Sequence, residues 1–161
     1  VHICFVCSGN ICRSPSAALV LRAHLDEAGL ADVVEVSSAG IGGWHAGEPM
    51  DARAGAALRS RGYSSAHRAA QVDRQHLDAD LLIAMDSTHA EDLKALADDP
   101  SRVRLLRSFD PAAARLSGGP HDLDVPDPYY GGPEGFGDVL DMIEAAMPGL
   151  LAWIEEHLEH A

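Results

Sequence analysis

Two thiols, an arginine, a glycine and two hydroxyls lie close together in the run Val6-Cys7-Ser8-Gly9-Asn10-Ile11-Cys12-Arg13-Ser14-Pro15. A cysteine sulfur attacks electrophiles once it is ionised. Arg13 follows Cys7 with five residues between them, enough chain to curl back and present its planar fork to two oxygens of one phosphate. Sulfur beneath a phosphorus and a guanidinium beside it would make a nucleophilic phosphoryl-transfer site.

The flanking sequence says how such a loop is held. His2-Ile3-Cys4-Phe5-Val6 is a short run of β-formers, and from Ser16 to Ala28 the residues Leu19, Val20 and Leu25 recur at helical spacing. The loop therefore joins a strand to a helix. Ser14 reads as the N-cap and Pro15 as the first helical residue, so the amides of Ser8, Gly9, Asn10, Ile11, Cys12, Arg13 and Ser14 should converge on an anion at a helix N-terminus. A helix terminus supplies at most about 2 kcal/mol. Bringing a thiol from a pKa of about 8.5 to about 5 takes roughly 5 kcal/mol. The remainder must come from loop amides, the arginine and a hydroxyl, for which Ser14 is the candidate. The plainer reading makes Cys7 a small buried hydrophobe in a glycine-containing turn; the conjunction of Cys7, Gly9, Arg13, Ser14 and Pro15 favours the anion site.

Expulsion of a poor oxygen leaving group from phosphorus needs a proton donor, worth roughly 10²–10⁴ in rate. Asp110, Asp122, Asp124 and Asp127 share one long connection, and their spacing alone does not choose among them. Asp127 differs in standing between Pro126 and Pro128, which hold its backbone extended.

Strands and helices alternate along the chain. Gly29 closes the first helix, Val33–Ser38 reads as a second strand, and Asp51–Arg61 as a helix capped by Asp51 and ended by Gly62. Asp80–Met85 reads as a buried strand followed by a helix capped by Asp86 or Ser87, and Arg102–Leu106 as a fourth strand. A last helix starts near Pro133 or Glu134 and is open to kinking at Pro148. The expectation is an α/β protein with a doubly wound, Rossmann-like four-stranded parallel sheet, helices on both faces, the phosphate loop after the first strand and the ligand at the strand carboxyl ends. Residues 109–132 read as an exposed loop, rich in glycine and proline.

Cys7 to Pro15, taken with Asp127-Pro128-Tyr129-Tyr130-Gly131, resembles the low-molecular-weight protein tyrosine phosphatase family. The resemblance implies hydrolysis of phosphotyrosine and small aryl phosphates through a phosphocysteine on Cys7, with Arg13 binding phosphate and Asp127 as general acid and then base. It implies an aromatic specificity loop at Trp44, which by itself could equally fold onto the core, and a rim completed by Tyr129 and Tyr130, one of which could instead pack inside. It makes Asn10, Ser38 and His67 supports behind the loop, although His67 alone reads as an ordinary surface or hydrogen-bonded histidine. It implies a reversible disulfide between Cys7 and Cys12 that protects the nucleophile, and kinase targets among Tyr129 and Tyr130. Ala70 departs from the pattern, where an arginine is expected.

The 161 residues suit a single domain spanning 1–161, and a monomer is expected. Three cysteines, all by position 12, form no disulfide scaffold and point to the cytoplasm. A net charge of -13 argues against nucleic acid, no apolar run reaches membrane-span length, and the nine histidines are too scattered for a metal site. No cofactor is expected, and the partners are phosphotyrosyl proteins or peptides, with inorganic phosphate as product. Two rivals are an arsenate reductase of the same fold, which would need further cysteines downstream of Cys12, and a non-catalytic phosphotyrosine-binding or redox-sensing module.

Overall fold

The computed structural model describes residues 1–116, 118–119, 121–129, 131–132 and 134–159. Among these, β1 (His2–Cys7), β2 (Glu35–Gly40), β3 (Leu81–Ala84) and β4 (Val103–Leu105) form one sheet in the order β2-β1-β3-β4, every neighbouring pair parallel. Around it lie α1 (Arg13–Ala28), α2 (Ala52–Ser60), α3 (Arg74–Leu77), α4 (Ser87–Leu96), α5 (Pro111–Leu116) and α6 (Glu134–Glu159). The fold is the doubly wound α/β arrangement.

Alternation along β1 divides the core. Ile3, Phe5 and Cys7 face a larger cluster with Leu21 and Leu25 of α1 and Ile143 and Met147 of α6. Cys4 and Val6 face a smaller one with Leu82, Leu93 and Val103, beneath α4. A strand covered on both faces must be apolar throughout, and every residue from Ile3 to Cys7 is buried. Full burial of a side chain such as Phe5 contributes about 1.5–3 kcal/mol. The chain leaves β1 for β2 on one side and enters β3 on the other. The crevice at this reversal opens between the carboxyl ends of β1 and β3.

Several boundaries differ from expectation. α1 begins at Arg13 with Cys12 at its N-cap and no side-chain cap bond, so Ser14 does not cap the helix. Asn10 at φ 60 turns the chain early enough for Arg13 to enter the first turn, and the Ser14 hydroxyl is directed elsewhere. β2 starts at Glu35, leaving Val33 exposed. β4 is a three-residue strand set between 3₁₀ turns at Pro100–Arg102 and Leu106–Phe109. The connection read as loop contains α5, capped by Asp110, whose Oδ1 accepts the Ala112 N–H at 3.0 Å. α6 is continuous through Pro148, and Glu134 is its first residue, while Pro133 lies outside the described residues. At Gly149 the helix meets the backbone of Phe109 so closely that a β-carbon would overlap the Phe109 carbonyl. No helix among the described residues is long and apolar enough to cross a membrane.

Candidate active site

The loop between β1 and α1 is bonded outward through its carbonyls. Cys7 O accepts Ile41 N–H at 2.9 Å, Ser8 O accepts Gly42 N–H at 3.0 Å and Ile11 O accepts Asp51 N–H at 2.8 Å. Asn10 O accepts His67 Nε2–H at 2.7 Å, and Cys12 O accepts the Ser16 hydroxyl at 2.6 Å. In a trans peptide the N–H points opposite to the C=O. The N–H groups of Ser8, Gly9, Ile11, Cys12 and Arg13 are therefore turned into the loop, which is the concavity an anion needs. Gly40 at the end of β2 permits this closeness, because a β-carbon there would stand 2.9 Å from Ser8 O.

Asn10 holds the loop from beneath. It is fully buried; its Nδ2 donates to Ser14 Oγ at 2.8 Å and to Ser38 Oγ at 3.0 Å, and its Oδ1 accepts the Ala70 N–H at 2.9 Å. The Ala70 contact runs through the main chain, so it does not depend on the side chain there. Asn10, Ser38 and His67 thus come together behind the loop. Burial lowers the His67 pKa, against the opposing effect of its bond to Asn10 O, and keeps the ring neutral with Nε2 as donor. Because Asn10 donates to Ser14 Oγ, the Ser14 hydroxyl hydrogen has two acceptors in reach, Cys7 Sγ at 2.9 Å and the longer contact to Ala39 O at 3.4 Å.

Arg13 is nearly wholly buried at 4% exposure, and its Nη1 donates to Asp86 Oδ2 at 2.9 Å and to Val125 O at 3.0 Å. With that nitrogen held, Nη2 stands 3.7 Å from Asp127 Oδ2. Asp86 also accepts the His89 N–H at the start of α4. Burial alone would raise its pKa, but the bonds from His89 N–H and Arg13 and the nearby cationic charge outweigh it and hold the carboxyl below the usual range.

The four candidate acids separate. Asp110 caps α5, Asp122 accepts the N–H groups of Gly118 and Gly119, and Asp124 accepts the Ser87 N–H at 2.7 Å. Asp127 alone of the four lines the cleft. Its segment is pinned beside β3, where Val125 N–H donates to Met85 O at 2.8 Å, and its Oδ1 accepts the Tyr129 N–H at 3.0 Å.

The cleft has a volume of about 420 Å³, its floor formed by Cys7 to Arg13 without Asn10, its walls by Trp44, His45, Asp127 and Tyr129. Asn10 and Ser14 lie under the floor, both fully buried. Trp44 is 72% exposed and folds over Gly42, at the rim and not in the core. Tyr129 is partly exposed, tied to α2 by Arg53, whose Nη2 donates to Tyr129 O at 3.0 Å. Tyr130 lies outside the described residues. Cys7 and Cys12 are free buried thiols; burial, with Asp51 nearby, pushes the Cys12 pKa up to about 12. Among the described residues no metal-binding cluster forms.

Sequence reasoning missed Asp86 as an arginine partner, His45 on the wall and His89 bonded to Ser8. Asp86 was legible as the residue after the buried strand next to β1, where a doubly wound sheet puts its ligand. His45, held by Glu48 at 2.7 Å, carried no signal beyond its neighbour Trp44.

A family model described as low molecular weight phosphotyrosine protein phosphatase matches residues 2–160. The low molecular weight protein-tyrosine-phosphatase of Streptomyces coelicolor is 52% identical over 162 residues, covering 98% of this chain and 96% of its own. Among solved structures, the protein tyrosine phosphatase of Entamoeba histolytica with Hepes in its active site superposes with a TM-score of 0.87 at 30% identity over 98% of both chains. The Drosophila arginine phosphatase superposes with a TM-score of 0.84 at 28% identity, over 96% of this chain and 98% of its own.

Proposed function

The chain belongs to the low molecular weight phosphotyrosine protein phosphatase family and is a hydrolase of that class, and we propose that it cleaves phosphotyrosine through a phosphocysteine on Cys7. The observation that carries this reading is the convergence of Cys7, Arg13 and Asp127 on one cleft from three separate elements.

The phosphoryl group sits on the inward amides, its oxygens held by these and by the Arg13 fork. Cys7 Sγ attacks phosphorus in line while the bond to the tyrosine oxygen breaks, and Asp127, protonated, gives its proton to that oxygen. Tyrosine leaves and a sulfur–phosphorus bond remains. Asp127, now a carboxylate, takes a proton from water; the water oxygen bonds to phosphorus, the sulfur–phosphorus bond breaks, and the electron pair returns to Cys7. The Ser14 hydroxyl, donating to sulfur, favours the thiolate both as nucleophile and as leaving group. Attack on a dianion by a protein of net charge -13 needs a locally positive site, which buried Arg13 and the oriented amides supply.

Trp44 and Tyr129 on the walls and Ile11 on the floor give the cleft apolar surfaces suited to an aryl ring. The arginine phosphatase likeness concerns the fold, whereas these walls favour phosphotyrosyl proteins or peptides, with inorganic phosphate as product. Three cysteines, none after position 12, leave no downstream pair for an arsenate-reducing shuttle.

One peptide sequence carrying phosphotyrosine, phosphoserine or phosphoarginine tests the reading under reducing conditions. Preferential phosphate release from the phosphotyrosyl peptide, lost in Cys7→Ser, is expected. Preference for phosphoarginine, or unchanged turnover in Cys7→Ser, would contradict it.

A further inference from the structure

A second hydrogen-bond chain reaches the loop from the side opposite Asn10. Ser8 Oγ, on the cleft floor, lies 2.8 Å from His89 Nε2. His89 is buried at 3% exposure, and its Nδ1 makes no hydrogen bond among the described residues, although it stands 3.2 Å from Asp86 Oδ1. Asp86 Oδ2 in turn receives Arg13 Nη1 at 2.9 Å. Ser8 and Arg13 both line the cleft, and His89 and Asp86 join them from outside its lining.

The position of the imidazole proton follows from electrostatics. A neutral ring protonated on Nε2 would set its Nδ1 lone pair against a carboxylate oxygen. A neutral His89 therefore carries its proton on Nδ1, and Nε2 accepts the Ser8 hydroxyl hydrogen, which is thereby turned away from the cleft. A second proton reverses the bond. Nε2–H then donates to Ser8 Oγ and frees the hydroxyl hydrogen from the imidazole, on a residue that is half-buried and lines the cleft.

We propose that Ser8 and His89 form a proton-gated donor for the anion site: an oxyanion in the loop draws a proton from solvent onto His89, and Ser8 turns its hydroxyl hydrogen from the imidazole to the anion. Ser8 is then a binding residue and His89 a positioning residue acting through it. The inference rests on the reading of the loop as a phosphate site.

The surroundings suit such a gate. Burial lowers the His89 pKa; Asp86 and Asp92 of its own helix region and Asp127 of the acid segment raise it, while Arg13 of α1 lowers it. The ring is thus neutral in the empty site, and a dianion beside Arg13 adds the negative charge that favours protonation. By linkage, an anion that raises the His89 pKa binds more tightly when His89 is protonated.

The test is an NMR titration of the His89 imidazole in the reduced full chain with and without sulfate, whose charge is constant across the histidine range. In the wild type, saturating sulfate is expected to raise the His89 pKa by about one unit, equivalent to about tenfold tighter binding to the protonated protein. Ser8→Ala should lose more than half of that displacement, and Ser8→Thr, which restores the hydroxyl, should recover it. A wild-type displacement that is absent although sulfate competes with aryl phosphate would overturn this inference alone. So would an equal displacement in Ser8→Ala, which means that charge acts without the hydroxyl. Sulfate that neither binds nor competes at any pH would overturn the phosphate-site reading as well.

Discussion

Ser14 Oγ stands 2.9 Å from Cys7 Sγ, in the first turn of α1 and not at its cap. Asn10 donates to the same oxygen at 2.8 Å, and of the two acceptors facing the hydroxyl, Cys7 Sγ lies nearer than Ala39 O at 3.4 Å, so the proposed mechanism directs the hydroxyl hydrogen to sulfur. A hydrogen bond to a charged partner contributes about 1.5–3 kcal/mol, so Ser14→Ala should slow breakdown of the phosphocysteine by roughly 10- to 100-fold. Rapid-quench kinetics should then show a burst of aryl alcohol followed by a slower steady state. No change in either phase would contradict the role given to Ser14.

In the proposed mechanism Asp86 orients the guanidinium that binds phosphate, through a bond of 2.9 Å to Arg13 Nη1. Asp86→Asn keeps a competent helix cap but removes the charge. KM for an aryl phosphate and the inhibition constant for inorganic phosphate should both rise about tenfold, with a small change in thermal midpoint. A large loss of stability with unchanged phosphate affinity would make Asp86 a structural cap only.

The acid assignment predicts a dependence on the leaving group. In single turnovers, Asp127→Asn should slow release of tyrosine by roughly 10²–10⁴ and release of an activated nitrophenolate far less. Equal losses would remove Asp127 from the acid role.

Burial lowers the pKa values of His2, His67 and His89. In the unfolded chain each returns to about 6.5, so the unfolded state binds more protons below that pH. Stability should therefore rise with pH from the depressed folded values up to about 6.5 and level off above it. His67→Gln should remove part of this slope in urea midpoints measured across the range, His2 and His89 retaining theirs. An unchanged slope would mean that His67 is not held neutral behind the loop.

The sheet and the place of Cys7 at a strand end were legible because both rest on local pattern. An apolar run ending at Cys7 before a glycine turn places a thiol at a strand's carboxyl end, and proline on both sides of Asp127 marks a directed carboxyl. Where local rules compete with distant partners they failed. Ser14 has the chemistry of a cap, yet Asn10 at φ 60 starts the helix one residue before it, and the hydroxyl lies within reach of sulfur. His89 bonds Ser8 across 81 positions of sequence, which no spacing rule reaches. α5 is different: Asp110-Pro111-Ala112-Ala113-Ala114 carries a cap, proline at the first helical position and strong helix formers, but the surrounding glycines and prolines outweighed that signal in the reading of the sequence.

The proposed mechanism requires that Cys7 become covalently phosphorylated. Acid quenching during turnover of an aryl phosphate, followed by peptide mass spectrometry, addresses it directly. One phosphoryl group on the peptide containing Cys7, formed in the wild type, enriched in Ser14→Ala and absent from Cys7→Ala, is the predicted result. Turnover with no phosphoryl-enzyme in either the wild type or Ser14→Ala would mean that water attacks the substrate directly, and the mechanism built on Cys7 would be wrong.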